Sequence, residues 1–402
     1  MSRSIIKPDY LSIKIELKKS GTMNEILITG TGLFTPPESI TNTELVSSFN
    51  HYVAEFNATH AQAIANNEIE ALKESDEEFI FKASGIKNRY VMNKASILDI
   101  KIMQPILAKR ADSELSLQAE MAVCAAKEAL IRANLAANEI DAVIVACSNL
   151  QRPYPAIAIE VQKELGISGF AFDMNVACSS ATFAIQTAYS TIKSDIAKRV
   201  MIVMPEICSA HLNFKDRDSH FIFGDVCTAV IIETGQTCKS SSAYKIIATK
   251  TKTEFSNNIR NNFGFLTKTE SEVFKQPSNI FNKDYFFMQQ GRKVFKEIIP
   301  MVAELIANHL AENNIAVKEI KRFWLHQANA NINRLVTEKL LGNFSDERLV
   351  PSILNDYANT SSPGCIIAFH KYNEDLKIGD IGVLCSFGAG YSIGNIILEK
   401  IC

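Results

Sequence analysis

The chain has 402 residues, 47% of them apolar and 21% charged, with a formal net charge of −2. That length exceeds what one hydrophobic core usually serves, so two domains or a duplicated fold is expected. The near-neutral balance supplies no long-range field for nucleic acid or an anionic membrane, and any basic docking patch must be local.

Residues 1–22 read as an N-terminal extension ahead of a second methionine, Met23. Interrupted by Lys7, Asp9, Lys14, Glu16, Lys18 and Lys19, they lack the apolar core and cleavage site of a secretory signal. Residues 24–34 read as a first buried strand with glycines at its end. From His51 to Glu78 charged and helix-forming residues dominate, which predicts a helical insertion near 51–78.

After Ser113 the pattern alternates. An Ala-rich helix (about Leu115–Leu135) leads to a β-rich run at 142–148. A helix (about Ala156–Leu165) leads to the run Phe170-Ala-Phe-Asp-Met before Cys178. A third helix then leads to apolar runs at 199–204 and 226–233. Such alternation predicts an α/β fold with a mostly parallel sheet covered by helices. The second half repeats the idea, with a helix at about Gly291–Asn313, a strand at Phe323-Trp-Leu, a helix at about Asn331–Leu341, a strand at 381–386 and a closing hairpin at 387–398. Gly224–Glu233 and Gly390–Glu399 echo each other, in agreement with a duplication. The expected units are residues 1–22, 23–240 and 241–402.

The nine cysteines are odd in number and form no C-x-x-C pair, and several lie in apolar strand-like runs, as Cys147 and Cys385 do. They read as small buried hydrophobes in a reducing compartment, not as a zinc site or disulfide framework. No run approaches the ~18 apolar residues of a membrane span. A soluble, cytoplasmic protein is expected.

Cys178 stands apart, because it falls between a strand and a helix. There the unpaired N–H groups and dipole of the helix end favour the thiolate, which is the nucleophilic form. Three other sites sit at element ends: His326 in His326-Gln-Ala-Asn329, Asn359 in Asn355-Asp-Tyr-Ala-Asn359-Thr-Ser-Ser-Pro-Gly364, and the pair Gly388 and Gly390 in Phe387-Gly-Ala-Gly. Taken singly, each has a structural reading: packing for the cysteine, a hydrogen-bonded core histidine, a helix cap, a tight hairpin. Strand ends are where α/β sheets assemble their sites, so together they suggest one pocket.

In wording and order these four segments resemble the β-ketoacyl-acyl-carrier-protein synthase III family of the thiolase superfamily. Phe223-Gly-Asp225, Ser84-Gly-Ile-Lys-Asn-Arg89, Asp216-Arg217 and Pro153-Tyr154-Pro155 add to the likeness, which covers the chain from Met23 onward. The resemblance implies a thiolase-like fold, two similar βαβαβαββ halves in a five-layered αβαβα sandwich. It implies a decarboxylating Claisen condensation, an acyltransferase reaction of fatty acid or related biosynthesis. Cys178 takes an acyl group from acyl-CoA, and the backbone N–H groups of Cys178 and Ala389 form the oxyanion hole. His326 and Asn359 stabilise the enolate of malonyl-acyl carrier protein. It further implies substrate contacts from Phe79, Tyr154, Arg217, Gly291 and Asn329, carrier-protein docking by Arg292, Lys293, Lys296 and Arg334, and a homodimer. No metal or cofactor beyond the CoA and carrier-protein thioesters is implied, nor any nucleic-acid or membrane partner.

Departures bear on the substrate. Phe79 stands where the family has a Trp for the CoA adenine, Ala83 replaces an Arg one helical turn on, and Asn331 replaces a docking Arg. These point away from the usual acetyl-CoA starter, toward a longer acyl donor or a dedicated secondary pathway. Two further readings are a related acyltransferase forming an ester or other C–C bond, and a non-catalytic partner subunit. Retention of His326 and Asn359 argues against the first, and of Cys178 against the second.

Overall fold

A computed structural model describes residues 25–342 and 346–402, so the expected arm at 1–22 lies outside the described residues. The first half runs β1 (Ile26–Phe34), β2 (Glu38–Thr41), α1 (Asn42–Thr59), α2 (Ala61–Ala65), α3 (Glu77–Ser84), β3 (Asn88–Val91), α4 (Lys94–Leu98), α5 (Leu117–Ala133), β4 (Ala142–Ala146), α6 (Ile157–Leu165), β5 (Phe170–Met174), α7 (Ser180–Lys193), β6 (Arg199–Glu206) and β7 (Val226–Thr234). The second half runs β8 (Tyr244–Ser256), β9 (Ile259–Arg260), α8 (Ser271–Lys275), β10 (Met288–Gln289), α9 (Gly291–Glu312), β11 (Ile320–Leu325), α10 (Ala330–Leu341), α11 (Leu354–Tyr357), α12 (Pro363–Lys371), β12 (Ile381–Gly388) and β13 (Gly390–Lys400).

Period-two alternation along the strands sorts side chains to two faces. In β4, Val143 and Val145 meet the outer helices α5 and α6, while Ala142, Ile144 and Ala146 face a central core. That core also takes α7 and α12 together with Leu384 of β12 and Ile396 and Leu398 of β13. On the far side α9 and α10 cover Val383, Cys385 and Phe387. The result is five layers, helix–sheet–helix–sheet–helix. The strands run β11-β12-β13-β8-β1-β7-β6-β4-β5, one sheet of nine, its halves joined where Leu27 and Ile28 of β1 pair with Lys245 and Tyr244 of β8. Among the described residues no helix is long and apolar enough to cross a membrane.

The halves differ in one respect. Where the first half has β5 between α6 and α7, no paired strand lies among the described residues between α10 and α12 of the second half. Pro351 there has no N–H to give a ladder. The Gln327 side chain substitutes, donating to the Leu325 and Pro351 carbonyls at 2.8 and 3.4 Å and accepting the Ile353 N–H at 2.9 Å.

The segment at 51–78 is helical as far as Ala65 and again only from Glu77, where α3 begins. A Thr41–Glu44 capping box starts α1. Beyond α2 the chain is irregular, and α1 holds it from the side. Asn57 exchanges two hydrogen bonds with the Leu72 backbone (3.0 and 2.9 Å), and Asn50 does the same with Ser75 (3.0 and 2.8 Å). Those amides compete with a helical ladder for the same backbone groups, which helix-forming composition alone does not reveal.

Candidate active site

Cys178 lies in the turn between β5 and α7. Ala177 adopts φ 47°, and the Ser179 and Ser180 N–H groups bond back to the carbonyls of Val176 and Ala177 at 3.0 and 3.1 Å. This leaves Cys178 just ahead of the first turn of α7. The helix is locked to the other half: the Ser179 hydroxyl donates to the Ser392 carbonyl at 2.9 Å, and Thr182 and Ser386 share a hydrogen bond at 2.5 Å. The thiol therefore sits on the seam between the halves, under the Phe387-Gly-Ala-Gly turn. A β-carbon at Gly388 would stand 3.1 Å from Sγ.

The residue is half-buried, its sulfur lies deep among protein atoms, and burial pushes its thiol up to about 11. The Ser361 hydroxyl and the N–H groups of Ala389 and Cys178 itself favour the thiolate, while the charge of Glu206 opposes it. Ser361 lies near enough to act on the sulfur without a well-formed hydrogen bond to it. Desolvation is the largest influence on this thiol and works against the thiolate expected from the helix end.

His326 follows the last residue of β11, and its N–H extends the ladder to the Cys385 carbonyl at 2.8 Å. Its ring stands edge-on to Phe387, with centroids 5.2 Å apart. It is 1% exposed, Nδ1 has no hydrogen-bond partner among the described residues, and burial pushes the imidazole down to about 3. It is a neutral ring.

Asn359 is fixed by its backbone to the Phe223 segment, donating to the Ile222 carbonyl and accepting the Gly224 N–H, both at 3.0 Å. Its Oδ1 accepts the Ser361 N–H at 2.9 Å, which leaves the NH2 as the end available to a ligand. Ala358 and Ser361, at φ 56° and 59°, bend the chain on either side. Asp225, buried, accepts from the backbone of Ser209 and Met92 at 2.7 and 2.9 Å, and Arg89 donates to the Ile40 carbonyl at 3.1 Å and to Asn42 Oδ1 at 2.7 Å. The chemistry available is a thiol nucleophile, backbone donors beside it and neutral imidazole and amide donors.

Models of 3-oxoacyl-[acyl-carrier-protein] synthase III match residues 172–254 and, for its C-terminal part, 310–400. The chain is 58% identical to a β-ketodecanoyl-[acyl-carrier-protein] synthase of Pseudomonas aeruginosa over 355 residues, 88% of this chain and all of that protein. A β-ketoacyl-[acyl-carrier-protein] synthase III of Agrobacterium fabrum is 28% identical over 84% of this chain and 95% of its own. Among solved structures, the 3-oxoacyl-[acyl-carrier-protein] synthase III of Aquifex aeolicus superposes with a TM-score of 0.70 at 25% identity, covering 93% of this chain and 99% of that one. The chain belongs to the β-ketoacyl-acyl-carrier-protein synthase III family. It is a thiolase-fold condensing enzyme and an acyltransferase of fatty acid biosynthesis.

The residues expected to serve this synthase beyond the central three divide by position. The Arg217 guanidinium lies 3.9 Å from the Phe79 ring centroid and donates to the Glu74 carbonyl at 2.6 Å, so these two expected substrate contacts cover each other. Gly291 and Arg292 line a cavity of about 650 Å³ with Arg260, Asp216 and Ser219. Asn329 caps α10, and its amide donates to the Ala83 carbonyl at 2.7 Å, which ties both ends of the side chain to the fold. Tyr154 is 76% exposed and lines a separate cavity of about 990 Å³, to which Cys178, His326 and Asn359 do not contribute. Arg292, Lys293 and Lys296 lie exposed at the start of α9, whereas Arg334 pairs with Glu338 at 2.6 Å.

Sequence reading missed Glu206 and Ser361. Glu206 ends the apolar run Val200-Met-Ile-Val-Met-Pro, and a lone carboxylate at the end of a fully buried strand is the signal that could have found it.

Proposed function

We propose that this synthase joins an acyl thioester to malonyl-acyl carrier protein through an acyl-Cys178 intermediate. What supports the reading is a thiol with the Ala389 N–H and Gly388 against it, a neutral buried imidazole edge-on to Phe387 of that same turn, and an amide with a free NH2 end two residues before the Ser361 that acts on the sulfur.

In the first half-reaction Cys178 attacks the donor carbonyl. The C–S bond to CoA breaks, and the departing thiol carries away the proton that the sulfhydryl gives up. The N–H groups of Cys178 and Ala389 stabilise the oxyanion, and losing one such donor typically costs about 2.7–4 kcal/mol. In the second, His326 and Asn359 donate to the malonyl thioester carbonyl. The C–C bond to the carboxylate breaks, CO₂ leaves, and the enolate carbon attacks the acyl carbonyl. Collapse expels Cys178 as thiolate, which regains a proton from solvent. Neutral donors suit this task, since they stabilise the enolate without competing as nucleophiles.

The relative's name describes a ten-carbon β-ketoacyl product. Two of those carbons come from decarboxylated malonate, so we assign an eight-carbon acyl group to the donor. The Phe79 and Ala83 departures agree with a donor other than acetyl-CoA. Exposed Arg292, Lys293 and Lys296, with Arg334 farther along, supply a basic surface for the acidic carrier. We assign Phe79, Arg217 and Gly291 to the path of the thioester arm, with Asn329 supporting α10 beside it. We assign a homodimer as the working unit.

Intact-protein mass spectrometry after incubation with acyl-CoAs of two to twelve carbons (about that span) tests the reading. Octanoyl retention mapped to Cys178 supports it. Preferential acetyl retention refutes the donor assignment.

A further inference from the structure

We propose that Glu206 is a positioning residue, whose buried carboxylate ties the turn carrying Cys178 to the loop carrying Asn359 and so fixes how the two meet one substrate. The proposal rests on the roles given above to Cys178 and Asn359.

Glu206 is 0% exposed and enters no ion pair among the described residues. Its Oε1 accepts the Ser148 N–H at 2.8 Å and the Ser362 hydroxyl at 2.7 Å, while Oε2 accepts the Ser148 hydroxyl at 2.6 Å. From each serine a short path continues. The Ser148 carbonyl accepts from Asn175 Nδ2 at 2.8 Å, and Asn175 Oδ1 accepts the N–H of Ala177, the residue before Cys178, also at 2.8 Å. On the other side Ser362 lies three residues beyond Asn359, in the loop where Oδ1 of Asn359 holds the Ser361 N–H at 2.9 Å. The same hydroxyl proton is shared with the Ala146 carbonyl, 3.2 Å away, which keeps the loop against the end of β4.

A buried carboxylate without a cation is costly, and an apolar side chain of similar volume would fill the same space at less cost. What the carboxylate adds is connection, because two oxygens accept donors from both loops at once. The thiols of Cys147, Cys178, Cys208 and Cys227 stand in the field of its charge. The hydroxyl and N–H donors of Ser148 and Ser362 are the groups that stabilise it.

The Ser362 hydroxyl makes no cap bond to α12, so Ser362→Ala removes the 2.7 Å hydroxyl link without costing a helix cap, and leaves only the Ser362 N–H, 3.5 Å from Oε1. In Glu206→Gln the Ser148 hydroxyl can rotate to accept the new amide N–H, so the bridge survives without its charge.

The experiment compares full-length Glu206→Ala, Glu206→Gln and Ser362→Ala in two assays, octanoyl loading of Cys178 by intact mass and condensation with malonyl-acyl carrier protein. Glu206→Ala and Ser362→Ala should lose condensation about tenfold or more while loading stays within about threefold. Glu206→Gln should recover most of that loss and move the pH midpoint of Cys178 alkylation downward. If Glu206→Ala fails to fold, the other two variants carry the test. Loss of loading and condensation by the same factor in Ser362→Ala, or loss of neither, overturns the proposal. Acyl uptake by Cys178→Ala would instead overturn the underlying reading.

Discussion

A β-carbon added to Gly388 would stand 2.6 Å from the Cys178 Cβ, closer than real side chains approach one another. The turn that ends β12 therefore lies on the nucleophile with no room for a methyl group. Gly388→Ala must displace either the thiol or the Ala389 N–H, and both belong to the acylation step. Acyl loading of Cys178 should fall about a hundredfold, with an overpacking cost of about 1–3 kcal/mol. Timed intact-mass loading beside denaturant unfolding checks both.

The pH behaviour of Cys178 follows from its burial and that of His326. With the thiol pushed up to about 11 and the imidazole down to about 3, the resting pair at neutral pH is thiol and neutral ring, not an ion pair. Below its pKa the thiolate fraction rises about tenfold per pH unit, so alkylation by iodoacetamide should climb steadily from about pH 6 to about pH 10. A plateau near pH 7 would mean a thiolate–imidazolium pair.

Acid stability should be set by histidines. His211, His220, His309 and His370 are pushed down to about 4 and His326 to about 3, each by burial. The unfolded chain binds these protons near the ordinary value of about 6.5, so stability is lost as pH falls from there through about 4. Glu206 and Asp225, raised by burial to about 7 and about 6, act with the opposite sign, losing their contribution as pH rises. Asp173, also raised by burial, adds to the opposing side, yet five groups outweigh three, and thermal unfolding should move to lower temperature as pH drops from about 6.5 to about 4.5. A flat or rising midpoint contradicts this.

Gly30 and Gly32 let α5 rest directly on β1. A β-carbon at Gly32 would meet the Ala125 carbonyl oxygen at 2.0 Å, and one at Gly30 the Ala129 oxygen at 2.2 Å. Backbone cannot yield as a side-chain tip can, so Gly32→Ala should destabilise by about 1–3 kcal/mol or more. An unchanged urea midpoint would show that the two elements separate easily.

What was legible in the sequence was the placing of chemistry at strand ends. Cys178, His326 and Asn359 follow apolar runs or sit among turn formers, and those local patterns survive folding. The αβ alternation likewise gave the layers, because side-chain period and burial are local properties. Groups whose roles depend on distant partners were not legible. Glu206 reads as an ordinary strand-end carboxylate until Ser148 and Ser362 are seen against it. The irregular course of residues 66–76 depends on Asn50 and Asn57, and the lack of a counterpart to β5 among the described residues of the second half on Gln327 and Pro351. The burial that works against a thiolate at the start of α7 was hidden for the same reason, since a helix end is local and desolvation belongs to the whole fold.

The most direct test follows the two half-reactions separately in Cys178→Ala, His326→Ala and Asn359→Ala. Intact mass should show no acyl adduct on Cys178→Ala and a normal octanoyl adduct on the other two. Decarboxylative condensation should be lost in all three, by about a hundredfold or more. Condensation at the wild-type rate by Cys178→Ala, or loss of the acyl adduct in His326→Ala, would contradict the division of labour among these residues.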